Sequence, residues 1–359
     1  MKIPAIIPLP PNRVRRTYRG GKLLDQIQGL VPAQDSFYPE NWIASTTRAA
    51  NVSEGSTEGF SEVFIHGKKH YLKDLLAQYP AEILGAPHIG KYGAVPQVLI
   101  KLLDSAERLY LQAHPTIAFA QQHLHSNSGK TEAYVLLEIR PEVTSPYIYV
   151  GFQRTPDRST FREIILRQDI PALLSFFDKI PVNVGDVFIV PGGLPHAIGE
   201  GILMVEIMEP TDLFVRAEFS RAGVLLPEEK RYLGRDVEFA LAMFDYTVFP
   251  LDEIRRRYFQ LPKLIATYNA TSVEYALIDE RATNCFRVKK LVVQGTIHKN
   301  PEHSFYAGIV TQGTGEVCSG SDRLELRRGN AFLIPFSAGA MEYSSPNGME
   351  LVLVLPPTV

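Results

Sequence analysis

Cysteine is scarce in this chain of 359 residues, which has two cysteines, Cys285 and Cys318. Their spacing suits no metal site, and so few thiols argue against a disulfide framework and favour a reducing compartment. Long apolar runs are missing too: none reaches the ~18 residues that cross a bilayer. The proline-interrupted N-terminus lacks the apolar segment and cleavage site of a signal peptide. We therefore expect a cytoplasmic protein with no membrane partner.

A strong net charge is also missing, since 37 Lys and Arg against 39 Asp and Glu give −2. This balance argues against nucleic acid as a partner. One basic cluster stands out near the N-terminus, and we expect it to be a solvated segment rather than an anion contact: Arg13, Arg15, Arg16, Arg19 and Lys22. Phosphate-binding loops, nucleophile elbows and dinucleotide fingerprints were not found. The expected oligomeric state is a monomer or a homodimer.

Glycine and proline, at 26 residues each, separate short alternating apolar segments, which indicates a mainly β protein. The predicted strands include Val95–Leu103, Arg108–Ala113, Ala133–Ile139, Tyr147–Phe152, Asp186–Val190 and Ile202–Met208, and a second β-rich block covers Phe286–Leu355. Apolar residues at helical spacing predict helices at Tyr71–Leu84, Thr160–Leu166, Ile170–Lys179 and Glu228–Phe244.

We expect the two β-rich blocks to be a divergent repeat. Gly185 to Pro191 and Gly329 to Pro335 share a Gly-x5-Pro pattern around an apolar run. The second copy has Ala340 where the first has His196, so we expect no metal in the later block. We predict an N-terminal metal-binding domain with helical elements at 1–215, a helical and loop connection at 216–280, and a C-terminal domain without metal at 281–359.

The first copy of the repeat ends in the most informative residue, His196, which follows a Pro-Gly-Gly turn. In a small antiparallel barrel such a histidine points inward. Gln112 and His114 share one face of a predicted strand, because residues two apart point the same way. With Glu132 they supply two imidazoles, a carboxylate and an amide oxygen, a suitable set for Zn²⁺. Mn²⁺, Fe²⁺, Co²⁺ and Ni²⁺ are also compatible.

Several charged residues interrupt apolar runs, and Lys and Glu are almost never fully buried without a partner. Lys101, Glu206 and Arg216 therefore either face solvent on one side of a sheet or line a polar cavity. Lys130 would share a strand face with Glu132. A lysine beside a metal suits an anionic substrate such as a sugar phosphate, although a surface lysine at a strand start fits the spacing equally well.

His123 and His125 have the His-x-His spacing that is common in metal-binding β-barrels. They follow a helical-looking run at 116–122 and adjoin a loop of serine, asparagine and glycine. We therefore do not expect them to be ligands.

Taken together, these residues resemble the type I mannose-6-phosphate isomerases, a metal-dependent bicupin family. The matching stretches are 109–115, 129–132 and 190–199, with Glu206 and Arg216 at the family's separation, Lys101 ahead of Gln112, and an early Glu-x-Trp at Glu40–Trp42. The resemblance covers 18–355 and implies two cupin-type β-barrels with an α-helical insertion.

By this resemblance each candidate residue acquires a role. The zinc ligands would be Gln112, His114, Glu132 and His196, with one Zn²⁺ per chain. Lys101 and Lys130 would help to hold the phosphate. Arg216 would be the catalytic arginine, and Glu206 would lie in the active-site wall.

Three departures from the family pattern bear on the substrate. Tyr110 stands where many members have serine, Arg19 precedes Gly20 where the family has tryptophan, and Ile198 replaces a tyrosine. The hydroxyl of Tyr110 can still meet a phosphate, so we count it as substrate-binding. Its ring takes space, however, which leaves room for a related substrate.

The predicted function is zinc-dependent interconversion of mannose 6-phosphate and fructose 6-phosphate through a cis-enediol. Two alternatives are an isomerase of an unphosphorylated or related sugar and a non-catalytic, metal-containing sugar-binding cupin. The identity of the base is open between Glu206, a histidine from elsewhere in the chain and hydroxide on the metal.

Overall fold

The structure is a computed structural model that describes residues 1–50, 55–221 and 223–359. In chain order the strands are β1 (Ile7–Leu9), β2 (Arg13–Val14), β3 (Glu40–Ile43), β4 (Glu62–Ile65), β5 (Lys68–Tyr71), β6 (Leu99–Asp104), β7 (Gln112–Ala113), β8 (Glu132–Ile139), β9 (Tyr147–Val150), β10 (Ile180–Pro181), β11 (Val187–Val190), β12 (His196–Ile198), β13 (Ile202–Met208), β14 (Val215–Arg216), β15 (Ser220–Arg221), β16 (Val224–Leu225), β17 (Phe259–Gln260), β18 (Lys263–Thr267), β19 (Val273–Ile278), β20 (Arg287–Lys299), β21 (Tyr306–Ser319), β22 (Asp322–Arg327), β23 (Ala331–Ile334) and β24 (Met341–Leu355).

The helices are short and surround the strands. They are α1 (Lys22–Gln28), α2 (Leu72–Gln78), α3 (Pro80–Ile83), α4 (Ala86–Tyr92), α5 (Ile117–His123), α6 (Arg158–Arg167), α7 (Ile170–Leu174), α8 (Val237–Met243) and α9 (Leu251–Tyr258), with a 3-10 turn at Glu228–Lys230. Among the described residues, none of these helices has both the length and the apolar character that crossing a bilayer requires.

Two antiparallel sheets build the N-terminal part. The larger has the order β17-β11-β8-β13-β6-β3-β2, and the smaller has the order β10-β9-β12-β7-β14. They face each other across one core, which combines Tyr134, Phe188 and Met204 of the larger sheet with Ile148 and Ile198 of the smaller. No ladder joins the two sheets within the described residues, so they form an open sandwich rather than a closed barrel.

A third sheet, eight-stranded, builds the C-terminal part in the order β1-β23-β21-β24-β20-β19-β18, with β22 on β21. It covers the back of the larger N-terminal sheet, because one core cluster contains Val135 and Val205 together with Phe286, Ile309 and Val352. The mainly β fold predicted from the sequence is therefore confirmed.

Strand β13 shows why so many strands read as continuous apolar runs. Its residues Leu203, Val205 and Ile207 belong to the cluster shared with the C-terminal sheet. Ile202 and Met204 belong to the core between the two N-terminal sheets. Successive side chains of a strand point to opposite faces, so a strand that is covered on both sides is apolar throughout. Glu206 lies in register with the inward set.

The predicted helices differ in length from the observed ones: α6 extends beyond the predicted 160–166 at both ends, α7 covers only the first half of 170–179, and the other two segments are interrupted. The segment 71–84 divides into α2 and α3, because Pro80 cannot continue a helix and instead starts the next one. The segment 228–244 is interrupted where Leu233 and Gly234 have φ of 58° and 73°. These are left-handed values that no α-helix contains. Of the predicted strand 108–113, only Gln112 and Ala113 pair as β7.

Strand pairing also bears on the domain division. Strands β18 and β19, from the predicted connection at 216–280, join the C-terminal sheet, and β1 from the N-terminus pairs with β23. The three-part division stays a prediction. The repeat has a structural counterpart, since Gly185 and Gly329 have φ of 92° and 86° just before the related strands β11 and β23.

A buried ion pair secures the strand that carries Gln112. Arg108 donates two hydrogen bonds to Glu218, at 2.6 and 2.9 Å, and the backbone N–H of Leu111 donates to the same carboxylate at 2.9 Å. Glu218 has no exposed surface. A second cation, Arg221, lies 3.6 Å from it.

We expect Arg108→Ala to lower the free energy of unfolding by about 3 kcal/mol, because a buried carboxylate loses its main cation. Arg162→Ala is the matched control, since Arg162 pairs with Glu238 on the surface at 2.8 Å; it should cost under about 1 kcal/mol. Urea unfolding of both variants measures the difference, and equal losses would contradict the assignment.

Candidate metal centre

Three side chains from distant parts of the chain converge between the two N-terminal sheets. His114, Glu132 and His196 have potential ligand atoms that all lie within 4.8 Å of one another, which makes them a possible metal-binding triad. Nε2 of His114 lies 3.1 Å from Oε1 of Glu132, and Nε2 of His196 lies 3.3 Å from Oε2. All three residues are fully buried.

Strand register places a row of functional side chains on one face of the smaller sheet. Gln112 pairs with His196 on β12 and with Arg216 on β14. Directly opposed residues of an antiparallel pair project to the same face, so Arg216, Gln112 and His196 form what we call the ligand row. The side-chain amide of Gln112 lies 3.5 Å from Nε2 of both histidines, and rotating that amide by half a turn turns its oxygen toward them.

The hydrogen bonds of the two imidazoles determine which nitrogen can bind a metal. Nδ1 of His114 contacts the carbonyl of Leu213 at 3.0 Å, and Nδ1 of His196 contacts the carbonyl of Leu194 at 2.9 Å. A carbonyl only accepts, so Nδ1 must carry the proton in each ring. In neutral rings both Nε2 atoms are then left with lone pairs, the state in which imidazole ligates metals.

Both Nε2 atoms face the oxygens of Glu132. Burial lowers the pKa of His114 to about 3, so its ring is neutral near pH 7. Oε1 of Glu132 is buried and accepts no hydrogen bond among the described residues, although the ammonium of Lys130 forms an ion pair with it. Nitrogen and oxygen lone pairs that meet in this way repel each other, and Lys130 offsets this repulsion from one side only, near Oε1 and His114. The donor set therefore fits a divalent metal ion.

Two neighbours hold the carboxylate of Glu132 in place. The ammonium of Lys130 lies 2.9 Å from Oε1 and 3.5 Å from Nε2 of His114. The hydroxyl of Tyr134 donates a hydrogen bond to Oε2. Sequence reasoning missed Tyr134; its position two residues after Glu132, on the same strand face, was the signal that could have found it.

Glycines allow the ligand-bearing segments to touch. The backbone N–H of Lys130 donates to the carbonyl of Pro115 at 3.0 Å, and that of Gly193 donates to the carbonyl of His114 at 2.7 Å. A Cβ on Gly129 would lie 2.7 Å from the carbonyl oxygen of Pro115, and one on Gly192 would lie 2.6 Å from it. The segment after His114 therefore packs directly against the backbones of Gly129 and Gly192, where a side chain would not fit.

A buried carboxylate, Glu209, binds the backbone on both sides of Lys130. It was not identified from the sequence. Glu209 accepts hydrogen bonds from the backbone N–H groups of Gly129 and Thr131, at 3.0 and 2.8 Å. The hydroxyl of Thr211 donates to the carbonyl of Gly129 at 2.7 Å. Glu209 and Thr211 therefore orient the segment from which Lys130 and Glu132 project. A second glutamate at the end of a strand was the only sequence signal.

The larger sheet contributes a second row that faces the ligand row. Register aligns Trp42, Lys101, Glu206 and Tyr134 on four adjacent strands. Nζ of Lys101 lies 3.0 Å from Glu206 and 3.5 Å from Glu40. Of the two options that the sequence left open, the structure selects the polar interior, because Lys101 and Glu206 are both buried.

Burial makes the carboxyl of Glu206 a weaker acid than usual. Removal from water raises the pKa of its carboxyl to about 7, although the ammonium of Lys101 opposes this shift and Glu132 reinforces it. Burial acts against the charge of Lys101, but Glu206 and Glu40 together raise the pKa of that ammonium above its usual value. Glu206 can therefore exchange a proton near neutral pH, whereas Lys101 stays charged.

The expectation of a solvated N-terminal basic cluster is wrong for Arg16. Its guanidinium is buried, lies 3.1 Å from Glu40, and donates two hydrogen bonds to Asp212 at 2.9 and 3.2 Å. The same Glu40 accepts hydrogen bonds from Tyr18 at 2.5 Å and from the Trp42 indole at 2.6 Å. Arg16 therefore belongs to the wall of the site.

Arg216 differs from the other buried arginines of the described residues, Arg16, Arg108 and Arg140. Each of those pairs with a carboxylate, whereas within the described part of the chain no carboxylate pairs with Arg216 and its buried Nε has no hydrogen-bond partner. Burial and the charge of Arg16 lower the pKa of Arg216 to about 10, so it remains charged. A buried cation without a counter-ion is suited to binding an anionic ligand.

Tyr110 lies beside that arginine. Its ring centroid is 5.1 Å from the guanidinium carbon of Arg216, and its hydroxyl donates to the carbonyl of Thr17 at 3.2 Å. The tyrosine therefore packs directly against Arg216. His123, by contrast, ends α5 and packs against Phe119, with 4.6 Å between ring centroids.

A sandwich of antiparallel sheets with inward histidines and a carboxylate is the arrangement of a cupin-type fold with a possible metal site. No model of a known protein family matches the chain. Among curated proteins, "Probable mannose-6-phosphate isomerase GmuF" of Bacillus subtilis is 25% identical over 351 residues, covering 97% of this chain and 98% of that protein. The mannose-6-phosphate isomerase of Streptococcus mutans is 27% identical over 261 residues, covering 71% and 75%.

Solved structures agree with this relationship. The mannose 6-phosphate isomerase of Bacillus subtilis superposes with a TM-score of 0.75 at 19% identity, over 98% of this chain and 99% of that one. A variant phosphomannose isomerase of Salmonella typhimurium gives 0.72 at 15% identity, over 99% and 100%. The predicted resemblance to the type I mannose-6-phosphate isomerases is confirmed, and the chain shares their cupin fold.

We expect Gly192→Ala to weaken metal binding about tenfold or more, because the new Cβ would push the His114 segment away from its neighbours. Gly90→Ala is the matched control, since a Cβ on Gly90 meets nothing within 4 Å and lies in a helix. Titration of the metal-free proteins with Zn²⁺, followed by calorimetry, measures both affinities. Unchanged affinity in Gly192→Ala would show that the close backbone contact at Gly192 is not needed for metal binding.

Proposed function

We propose that this protein is a metal-dependent aldose–ketose isomerase that interconverts mannose 6-phosphate and fructose 6-phosphate. The observation that carries the proposal is the convergence of His114, Glu132 and His196 next to Arg216, a buried arginine without a carboxylate. The names of the curated relatives favour the same reaction and support the prediction of an enzyme. The substrate would be a small sugar phosphate.

The proposed metal is zinc, with Gln112, His114, Glu132 and His196 as its ligands. Two neutral imidazoles, a carboxylate and an amide oxygen suit this ion, although other divalent metals have overlapping preferences. Once bound, the ion would act as a Lewis acid toward the hydroxyl and carbonyl oxygens of the sugar. The remaining tasks belong to side chains of this chain.

In the proposed isomerisation, removal of the C2 proton of the aldose and protonation of O1 give a cis-enediol. Delivery of a proton to C1 and loss of the O2 proton then give the ketose. A general base is most effective when its pKa lies near the working pH. Glu206 meets this condition, because burial raises the pKa of its carboxyl to about 7. We therefore propose Glu206 as the group that moves this proton.

The cations around the site differ in whether a carboxylate already neutralises them. Among the described residues Arg216 has no carboxylate partner, so it is the proposed catalytic arginine. It can donate to an oxygen on which negative charge develops and can also attract the phosphate of the substrate, interactions that are strong in a buried site. Lys130 and Lys101 already neutralise Glu132 and Glu206. Both remain proposed contacts of the phosphate, and Tyr110 remains a proposed substrate-binding wall.

The proposed location and oligomeric state are those expected from the sequence. Both cysteines are free thiols, which is consistent with a reducing compartment. We retain a cytoplasmic location and a monomeric or homodimeric state as parts of the proposal.

We expect metal-stripped protein to lose activity on mannose 6-phosphate and to regain it when Zn²⁺ is restored. The assay couples formation of fructose 6-phosphate to a colour change and is repeated with mannose, which should react far more slowly. Exchange of the C2 proton with solvent is followed by NMR.

Three results would contradict the proposal. Absence of activity in both the stripped and the restored protein would count against any isomerase of this sugar. Saturable sugar binding without proton exchange would favour a binding protein. A preference for mannose would favour an unphosphorylated substrate.

We expect kcat/KM to fall as the pH drops through about 7, because Glu206 must be ionised to accept a proton and its carboxyl has a pKa of about 7. The charged groups that act on it are Lys101, Glu132, Lys130 and Glu40. Glu206→Gln should reduce kcat by about 10²- to 10⁴-fold and abolish this acid limb in the residual activity.

Glu200→Gln is the matched control, since it makes the same change at an exposed position next to the same strand. It should leave both the rate and the pH profile unchanged. An acid limb that persists in Glu206→Gln would assign the proton transfer to another group.

A further inference from the structure

One aromatic ring lies next to three cations of the site. Phe214 is buried, 7% exposed, and precedes Arg216 by two residues. The guanidinium carbon of Arg216 lies 4.0 Å from the centroid of its ring, Nζ of Lys130 lies at 5.5 Å, and the guanidinium carbon of Arg16 lies at 6.0 Å. The three cations come from three distant segments and meet at this side chain.

Like charges this close repel one another, so their assembly needs compensation. Asp212 and Glu40 neutralise Arg16, and Glu132 neutralises Lys130. Arg216 has no such partner among the described residues, and its Nε donates no hydrogen bond. Its principal neighbours are the faces of two rings, those of Phe214 and Tyr110, at 4.0 and 5.1 Å.

An aromatic face attracts a cation through its quadrupole, and the attraction strengthens when water is excluded. Unlike a carboxylate, the ring accepts no conventional hydrogen bond and carries no charge. A guanidinium held by a ring therefore keeps its N–H groups and its full positive charge for a ligand. A carboxylate in the same place would orient Arg216 equally well but would cancel that charge.

We propose that Phe214 is a positioning residue that holds Arg216, together with Lys130 and Arg16, for the anionic group of the substrate. It thereby sets the affinity of the site for a phosphate monoester. This inference rests on the proposed function, because a sugar phosphate supplies the anion. Phe214 acts through Arg216, and contact between the ring and the sugar is not required.

The test replaces Phe214 with leucine, which keeps the side chain apolar but removes the ring. Phe219→Leu is the matched control: Phe219 is 8% exposed, and the guanidinium carbon of Arg231 lies 4.1 Å from the centroid of its ring. Both variants lose a buried ring that contacts an arginine, but Phe219 is not among the residues of the site.

Calorimetry of the zinc-loaded proteins measures the affinity for inorganic phosphate, and zinc titration measures the metal affinity. Phe214→Leu should weaken phosphate binding and raise KM for mannose 6-phosphate about 5- to 30-fold, while the zinc affinity stays within about twofold. Phe219→Leu should change neither. Phe214→Tyr, which keeps the ring, should restore most of the phosphate affinity.

Several outcomes would overturn the inference: phosphate binding by Phe214→Leu that equals the wild type, an equal loss in Phe219→Leu, or a wild type that binds no phosphate. Should Phe214→Leu not fold, Phe214→Met fills more of the ring volume and is judged by the same outcomes. The proposed function fails separately. If the wild type binds phosphate but does not isomerise mannose 6-phosphate, a selective loss in Phe214→Leu still supports the positioning role.

Discussion

The pairing of Gln112 with both His196 and Arg216 is the constraint on which the site depends. A one-residue slip in either ladder would turn a whole strand over and send its side chains to the opposite face. Because β7 is only two residues long, its own ladder is a weak guarantee of register. The buried Arg108–Glu218 pair, which also binds the backbone N–H of Leu111, helps to fix the register of this short strand.

Buried charges inside the sandwich form local ion pairs, and among the residues that the structure describes Arg216 is an exception. Lys101 lies beside Glu206, Lys130 beside Glu132, and Arg16 beside Asp212. Such pairing makes it tolerable to keep ionised groups out of water, since an unpaired buried charge is costly. Arg216 departs from this rule, and aromatic faces stabilise it in place of a carboxylate. An anionic ligand that binds beside Arg216 would neutralise its charge.

Much of the site could be predicted from the sequence because its residues stand in local patterns. The alternation of Gln112 and His114 and the turn before His196 are short-range features. Tyr134 and Glu209 were missed because their importance arises from contacts with Glu132 and with the backbone of 129–131. Arg16 was misjudged for the same reason, since its sequence neighbours resemble a solvated basic segment while its partner Asp212 lies far along the chain.

By itself, the sequence determined the mainly β character, the identity of the candidate ligands and the resemblance to a metal-dependent isomerase family, because periodicity and motifs are written within a few residues. Only the tertiary structure decided which nitrogen of each histidine is free, why Gly129 and Gly192 must lack a side chain, and which buried arginine has no counter-ion. Each of these depends on atoms that approach within a few ångströms only after strands remote in the chain have paired and packed.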